Sequence, residues 1–139
     1  LLARAGRAAR NGYRFMWNRK AHEFGKRPVL SEEELAKFPD DAVQPIVRTH
    51  PRTGRKCLYV CDGYTHQIDG LPKDESDELL ALLFEHLTRE EFRYSHEWRV
   101  GDLLLWDNRC LMHRAVANYE LERYRRVLYR TVVRGTKPY

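Results

Sequence analysis

The sequence predicts a mainly β domain with flanking helices. Between Gln44 and Arg134 the chain breaks into short alternating or continuous apolar runs, separated by turns rich in Gly, Asp and Asn. Only Leu71 to Thr88 carries sustained helical spacing. The regular strand–helix alternation that builds a parallel sheet is missing, so the pattern suits an antiparallel jelly-roll or barrel-like core.

In chain order, Leu1 to about Phe24 reads as helical and then irregular, weakened by Gly6 and Gly12. Ser31 starts a short helix: it can cap, Glu34 completes a capping box, and Glu32 to Glu34 suit the positive end of the helix dipole. Pro39 and Asp40-Asp41 end it. Gln44 to Thr49 and Lys56 to Val60 read as strands around the loop His50 to Arg55, and a short extended piece follows at Gln67-Ile68. In the Leu71 to Thr88 helix, Pro72 lies where proline is tolerated, and Leu79, Leu80, Leu82, Leu83, Phe84 and Leu87 form a broad core-packing face. Phe92 to Trp98, Leu103 to Trp106, Cys110 to Ala115 and Arg126 to Arg134 then read as strands. A sandwich needs two full sheets, and these segments supply only part of them.

The length suits one domain, and 42% apolar residues suffice for a core. No run of 18 apolar residues could span a membrane. Leu1 to Arg10 lacks an initiator Met, an apolar h-region and a cleavage site, so it does not read as a secretory signal; its Arg-rich, acid-free composition allows a transit peptide, and a chain cut within a helix is the simpler reading. The net charge of +5 is spread along the chain except at Arg123, Arg125, Arg126 and Arg130. Cys57, Cys61 and Cys110 form no zinc framework and read as buried, reduced thiols of a cytoplasmic protein.

The chemistry concentrates in Trp106-Asp107-Asn108-Arg109 and the following His113. Downstream, Arg126 and Arg130 lie four residues apart, which places them on one face of a strand. Paired guanidiniums repel unless anions lie between them, and arginine grips carboxylates in bidentate fashion. By themselves these residues allow two readings: an anion site near a histidine, or a surface ion-pair face with Glu120 and Glu122. His50 reads as structural, with a backbone carbonyl as its expected partner. Asp107 reads as tied to Asn108, Arg109 or backbone amides. His66 and Asp69 have HxxD spacing but not that of a metal triad on a strand, and His96-Glu97 reads as a polar strand face.

From about Val47 to Tyr139 the chain resembles the C-terminal half of the taurine dioxygenase and 2,4-dichlorophenoxyacetate dioxygenase (TauD/TfdA-like) family. The resemblance is carried by Arg48-Thr49-His50-Pro51, Thr53-Gly54-Arg55-Lys56, Gly63-Tyr64-Thr65, Gly70-Leu71, Trp98 to Asp102, Trp106 to Arg109, His113, and Arg125-Arg126 with Arg130. It implies a double-stranded β-helix (a clavaminate synthase-like jelly roll), present only in part. Residues 1–42 would form a helical lead-in and 43–139 part of the β-helix core. It also implies Fe(II), 2-oxoglutarate and O2, with decarboxylation of 2-oxoglutarate to succinate and hydroxylation of a small anionic substrate, a sulfonate or carboxylate, as in taurine catabolism.

Residue by residue, the resemblance implies that His113 is the distal iron ligand and that Arg126 holds the far carboxylate of 2-oxoglutarate. Arg130 would grip an anionic substrate group, Tyr64 would stand where a phenylalanine lines the substrate pocket, and Trp106 would lie near the iron. The family's first metal motif is His-x-Asp or His-x-Glu. The residues two places after His22, His50, His66, His86, His96 and His113 are Phe24, Arg52, Ile68, Thr88, Trp98 and Ala115, so no histidine meets it. The chain therefore reads as beginning after that motif, and is expected to be inactive alone and to self-associate or pair with a missing N-terminal half. The alternative is a non-catalytic module that binds 2-oxoglutarate or a similar anion without a complete iron site. Nucleic-acid binding lacks any matching fingerprint, and no membrane partner is expected.

Overall fold

In the computed structural model, residues 7–12, 15–17, 30–116, 120 and 123–135 are described. The first element is a strand, not the helix expected there: β1 (Ala8–Asn11). Alanine's helix preference is a weak prior that tertiary pairing overrides. β1 is the middle strand of an antiparallel sheet, flanked by β2 (Ala42–Pro45) and β5 (Thr65–Ile68). Ala9 faces Gln44 on one side and Ile68 on the other, and is fully buried. The β1–β5 register shifts between Arg10 and Asn11, a local irregularity of the β-bulge type. Pro45 sits on the edge strand β2, where a missing N–H is tolerated.

Between these strands lie α1 (Glu32–Leu35) and a hairpin of β3 (Val47–Thr49) and β4 (Lys56–Leu58). The capping box at Ser31 and Glu34 forms as the sequence suggests, and Ser31 holds the Glu34 carboxyl below its usual range. In the hairpin loop Gly54 takes φ +69°, a conformation that disfavours a side chain.

α2 (Lys73–Leu87) begins at Pro72 and closes the core. Leu79, Leu80 and Leu83 pack with Ala9, Ile46, Val60 and Ile68, each large side chain contributing about 1.5–3 kcal/mol by burial. Leu82, expected on the same face, is exposed. Ser76 is wholly buried and its Oγ accepts the Ile68 N–H at 2.8 Å, pinning the end of β5 to the helix. Arg48 is also buried, with its guanidinium 4.9 Å from the Tyr59 ring centroid and its Nε and Nη2 without hydrogen-bond partners.

Beyond the short 3-10 turn Glu90–Phe92, the described residues hold no helix or strand. The strands expected at Phe92 to Trp98, Leu103 to Trp106, Cys110 to Ala115 and Arg126 to Arg134 are therefore absent, and the jelly roll is not seen. A strand needs a neighbour to take its backbone N–H and C=O groups, and among the described residues none lies alongside. The apolar side chains are correspondingly bare: Leu103 is 85% exposed, Leu105 80%, Tyr129 99% and Val133 92%. No helix among the described residues is long and apolar enough to cross a membrane.

Candidate functional site

Asp107 organises the turn between Trp106 and His113. Its backbone carbonyl accepts the N–H groups of Cys110 (3.2 Å) and Leu111 (3.0 Å). Its carboxylate accepts the Arg109 backbone N–H at 2.9 Å and a forked guanidinium contact, 2.8 Å from Nε and 2.6 Å from Nη2. The sequence anticipates these Arg109 contacts. It does not anticipate the third partner, His50, whose Nε2 lies 3.0 Å from Asp107 Oδ2. The Arg109 side chain first, then His50, holds the Asp107 carboxyl far below its usual range.

Geometry fixes the proton on His50. The Thr53 backbone N–H reaches Nδ1 at 3.2 Å and the Arg52 N–H at 3.4 Å. A backbone N–H only donates, so Nδ1 is an acceptor and the neutral ring carries its proton on Nε2, directed at Asp107. The expected carbonyl partner is thus replaced by amides on one side of the ring and a carboxylate on the other.

Donor atoms of His50, Asp107 and Cys110 lie within 4.8 Å of one another, close enough to suggest a cation site. Their bonding argues against one. Nε2 holds the proton, Asp107 is taken by Arg109, and partial desolvation, then the nearby Asp107 charge, raises the Cys110 thiol pKa, favouring the protonated form. The cluster is a hydrogen-bonded clamp. None of the three cysteines is in a disulfide, and none is buried as expected: Cys57 and Cys61 are half-buried and Cys110 is exposed.

His113 lies against Trp106, ring centroids 4.7 Å apart, while Trp106 Nε1 donates to Asn108 Oδ1 at 2.9 Å. Partial desolvation, then the Arg130 charge, lowers the His113 pKa, so the imidazole is neutral near pH 7. A neutral imidazole is the form that binds a metal ion. Yet among the described residues no group of three candidate ligands includes His113. The described residues do not by themselves fit an iron centre.

Arg130 is thus near enough to act on His113, whereas Arg126 Nη1 contacts the Val116 carbonyl at 3.4 Å. Both arginines are exposed and lie outside any strand, so the shared strand face expected of them does not form. Tyr64 is half-buried in the turn before β5, where its carbonyl accepts the Gly12 N–H. Neither of two open cavities is lined by Tyr64, Trp106, His113, Arg126 or Arg130. The larger, about 360 Å³, is walled by residues that include Phe84, Arg93, Met112 and Arg114.

His66 and His96 each have a carboxylate partner. His66 pairs with Asp41, while Asp69 pairs with Arg10, so the HxxD spacing brings no ligands together. His96 lies between the Tyr94 hydroxyl and Asp102, each at 3.0 Å, off any strand.

A three-stranded sheet and a hairpin with one core helix, and a histidine packed on a tryptophan, define a class only coarsely. Comparison with known proteins narrows it: residues 5–132 match the family described as taurine catabolism dioxygenase TauD, TfdA family, and the chain belongs to that family. It is 45% identical over 97 residues to the alpha-ketoglutarate-dependent 2,4-dichlorophenoxyacetate dioxygenase of Cupriavidus pinatubonensis, covering 67% of this chain and 33% of that protein. Among solved structures it is similar to AAD-2 in complex with Mn(II) and N-oxalylglycine (TM-score 0.64, 32% identity, 78% of this chain and 40% of that one). A taurine dioxygenase from Burkholderia xenovorans is also similar (TM-score 0.51, 30% identity, 76% and 39%). The chain spans about a third of the length of the first of these relatives.

Proposed function

We propose that this chain is the C-terminal part of an Fe(II)- and 2-oxoglutarate-dependent dioxygenase that hydroxylates a small anionic organic molecule, a sulfonate or carboxylate, while 2-oxoglutarate is converted to succinate. The observation that carries the reading is the His113 imidazole packed against Trp106, at the end of the Trp106 to Arg109 turn, in a chain that belongs to the dioxygenase family. In this reading His113 is one metal ligand, Arg126 binds the far carboxylate of 2-oxoglutarate, and Arg130 and Tyr64 face the substrate. The bare segments after Arg93 become strands of a double-stranded β-helix once their neighbours are supplied, by self-association or by an N-terminal half. O2 is the oxidant, and the setting is cytoplasmic.

The names of the relatives support the reaction class: one acts on 2,4-dichlorophenoxyacetate, another is a taurine dioxygenase. The test is a chimera in which this chain replaces the matching third of the Cupriavidus enzyme. Succinate formation that disappears in His113→Ala and Arg126→Ala is expected. A folded chimera that turns over no 2-oxoglutarate would overturn the proposal.

The lack of any three-ligand group around His113 among the described residues favours a second reading, a non-catalytic anion-binding module. It predicts calorimetric binding of 2-oxoglutarate by the 139-residue chain without metal, abolished in Arg126→Ala.

A further inference from the structure

The segment that carries His113 has few attachments to the rest of the molecule. From Arg93 to Val116 no helix or strand holds it. Its ties include the turn at Asp107, where the buried His50 of the β3–β4 hairpin donates to the carboxylate, and the Cys57 thiol, 3.5 Å from the Arg109 carbonyl. Trp106 stands at one end of this turn and His113 just beyond the other, with their rings in contact.

We propose that His50 is a positioning residue for the His113 site: through Asp107 it fixes the turn that brings the Trp106 and His113 rings together and sets that pair against the β3–β4 hairpin. The two ring nitrogens have separate tasks. Nδ1 accepts the amides of Arg52 and Thr53 and serves the hairpin loop alone. Nε2 spans 57 positions of sequence to reach Asp107, which in turn orders Arg109, Cys110 and Leu111. A protonated Nε2 aimed at a carboxylate already forked by arginine has one stable arrangement, the kind of restraint that orients a neighbouring site. The consequence for anion binding rests on the proposed function above; the geometric claim does not.

The two tasks can be separated by substitution. In His50→Asn the short amide oxygen can still accept the Thr53 N–H but cannot reach Asp107. In His50→Gln the longer amide can donate to Asp107. The first readout is the ring-current shift that Trp106 imposes on the His113 ring protons, measured by NMR on the 139-residue chain and assigned with Trp106→Ala. The shift should collapse in His50→Asn and return in His50→Gln, with the α2 amides unchanged in both. The second is calorimetric binding of 2-oxoglutarate, expected to weaken about tenfold in His50→Asn and to recover in His50→Gln. If the asparagine variant disturbs the hairpin, Asp107→Asn weakens the same contact from the other side and should give the same collapse. An unchanged His113 shift in these variants would overturn the proposal, as would failure of His50→Gln to restore it while the Thr53 and Arg55 amides stay in place. If the wild-type chain binds no 2-oxoglutarate, the anion-binding reading fails while the ring-current comparison still decides the role of His50.

Discussion

The Asp41 carboxylate reaches His66 Nε2 at 2.7 Å across the end of β1, and Gly12 lies beneath the contact. A Cβ at Gly12 would stand 2.3 Å from Asp41 Oδ1 and 3.4 Å from His66 Nε2. Gly12 is therefore where a side chain would break a hydrogen bond that links the two edges of the three-stranded sheet. Gly12→Ala should separate Asp41 from His66. The net stability change should stay within about 1 kcal/mol, because alanine recovers some backbone entropy as the partly exposed pair is lost. In a double-mutant cycle by urea denaturation, His66→Ala should cost stability in the wild-type background and nothing measurable beside Gly12→Ala.

Ser76→Ala should be more costly than its size suggests. It leaves the Ile68 N–H facing the core without an acceptor, at a position sealed from water. An orphaned buried donor costs about 1–3 kcal/mol. Thermal unfolding followed by circular dichroism should show the loss, and Ser76→Thr, which keeps the oxygen, should lose less.

Acid should loosen the clamp at a defined place. Asp107 titrates far below the usual carboxylate range when folded, while in the unfolded chain it titrates at about 3.9. Its contribution is thus fully present above the unfolded value and is lost as the pH falls through and below it. Asp107→Asn should lower the urea midpoint at pH 7 and flatten the decline in that midpoint as the pH falls below about 5.

Limited proteolysis should cut first between Arg93 and Arg134, where the described residues lack ladder bonds and Tyr94, Leu103 and Tyr129 are exposed. The sheet and α2 should survive as the resistant core, read by mass spectrometry. Apolar dye binding and concentration-dependent association are expected from the same segment.

Local signals carried well from sequence to structure, and pairing did not. The capping box at Ser31 and the helix after Pro72 were legible because neighbouring residues set them. β1 was not, because its alanines take their conformation from β2 and β5, both far along the chain. The apolar runs after Phe92 have strand character, yet character without a partner makes no ladder. At the site, the Trp106 to Arg109 motif led to the turn and to His113. The link to His50 was hidden, since nothing in a linear sequence says which of six histidines folds back on Asp107. The only hint lay in the family motifs, which contain both residues.

The central place of β1 has a consequence for synthesis. The earliest of the described strands pairs with two later ones, and its contact from Arg10 to Asp69 closes 59 positions of sequence. A growing chain therefore holds β1 unsatisfied until β5 has emerged from the ribosome, and closing so long a loop slows the search. Chains released at Asp62 should remain protease-sensitive throughout, whereas chains released after α2 should acquire the resistant core in a single step.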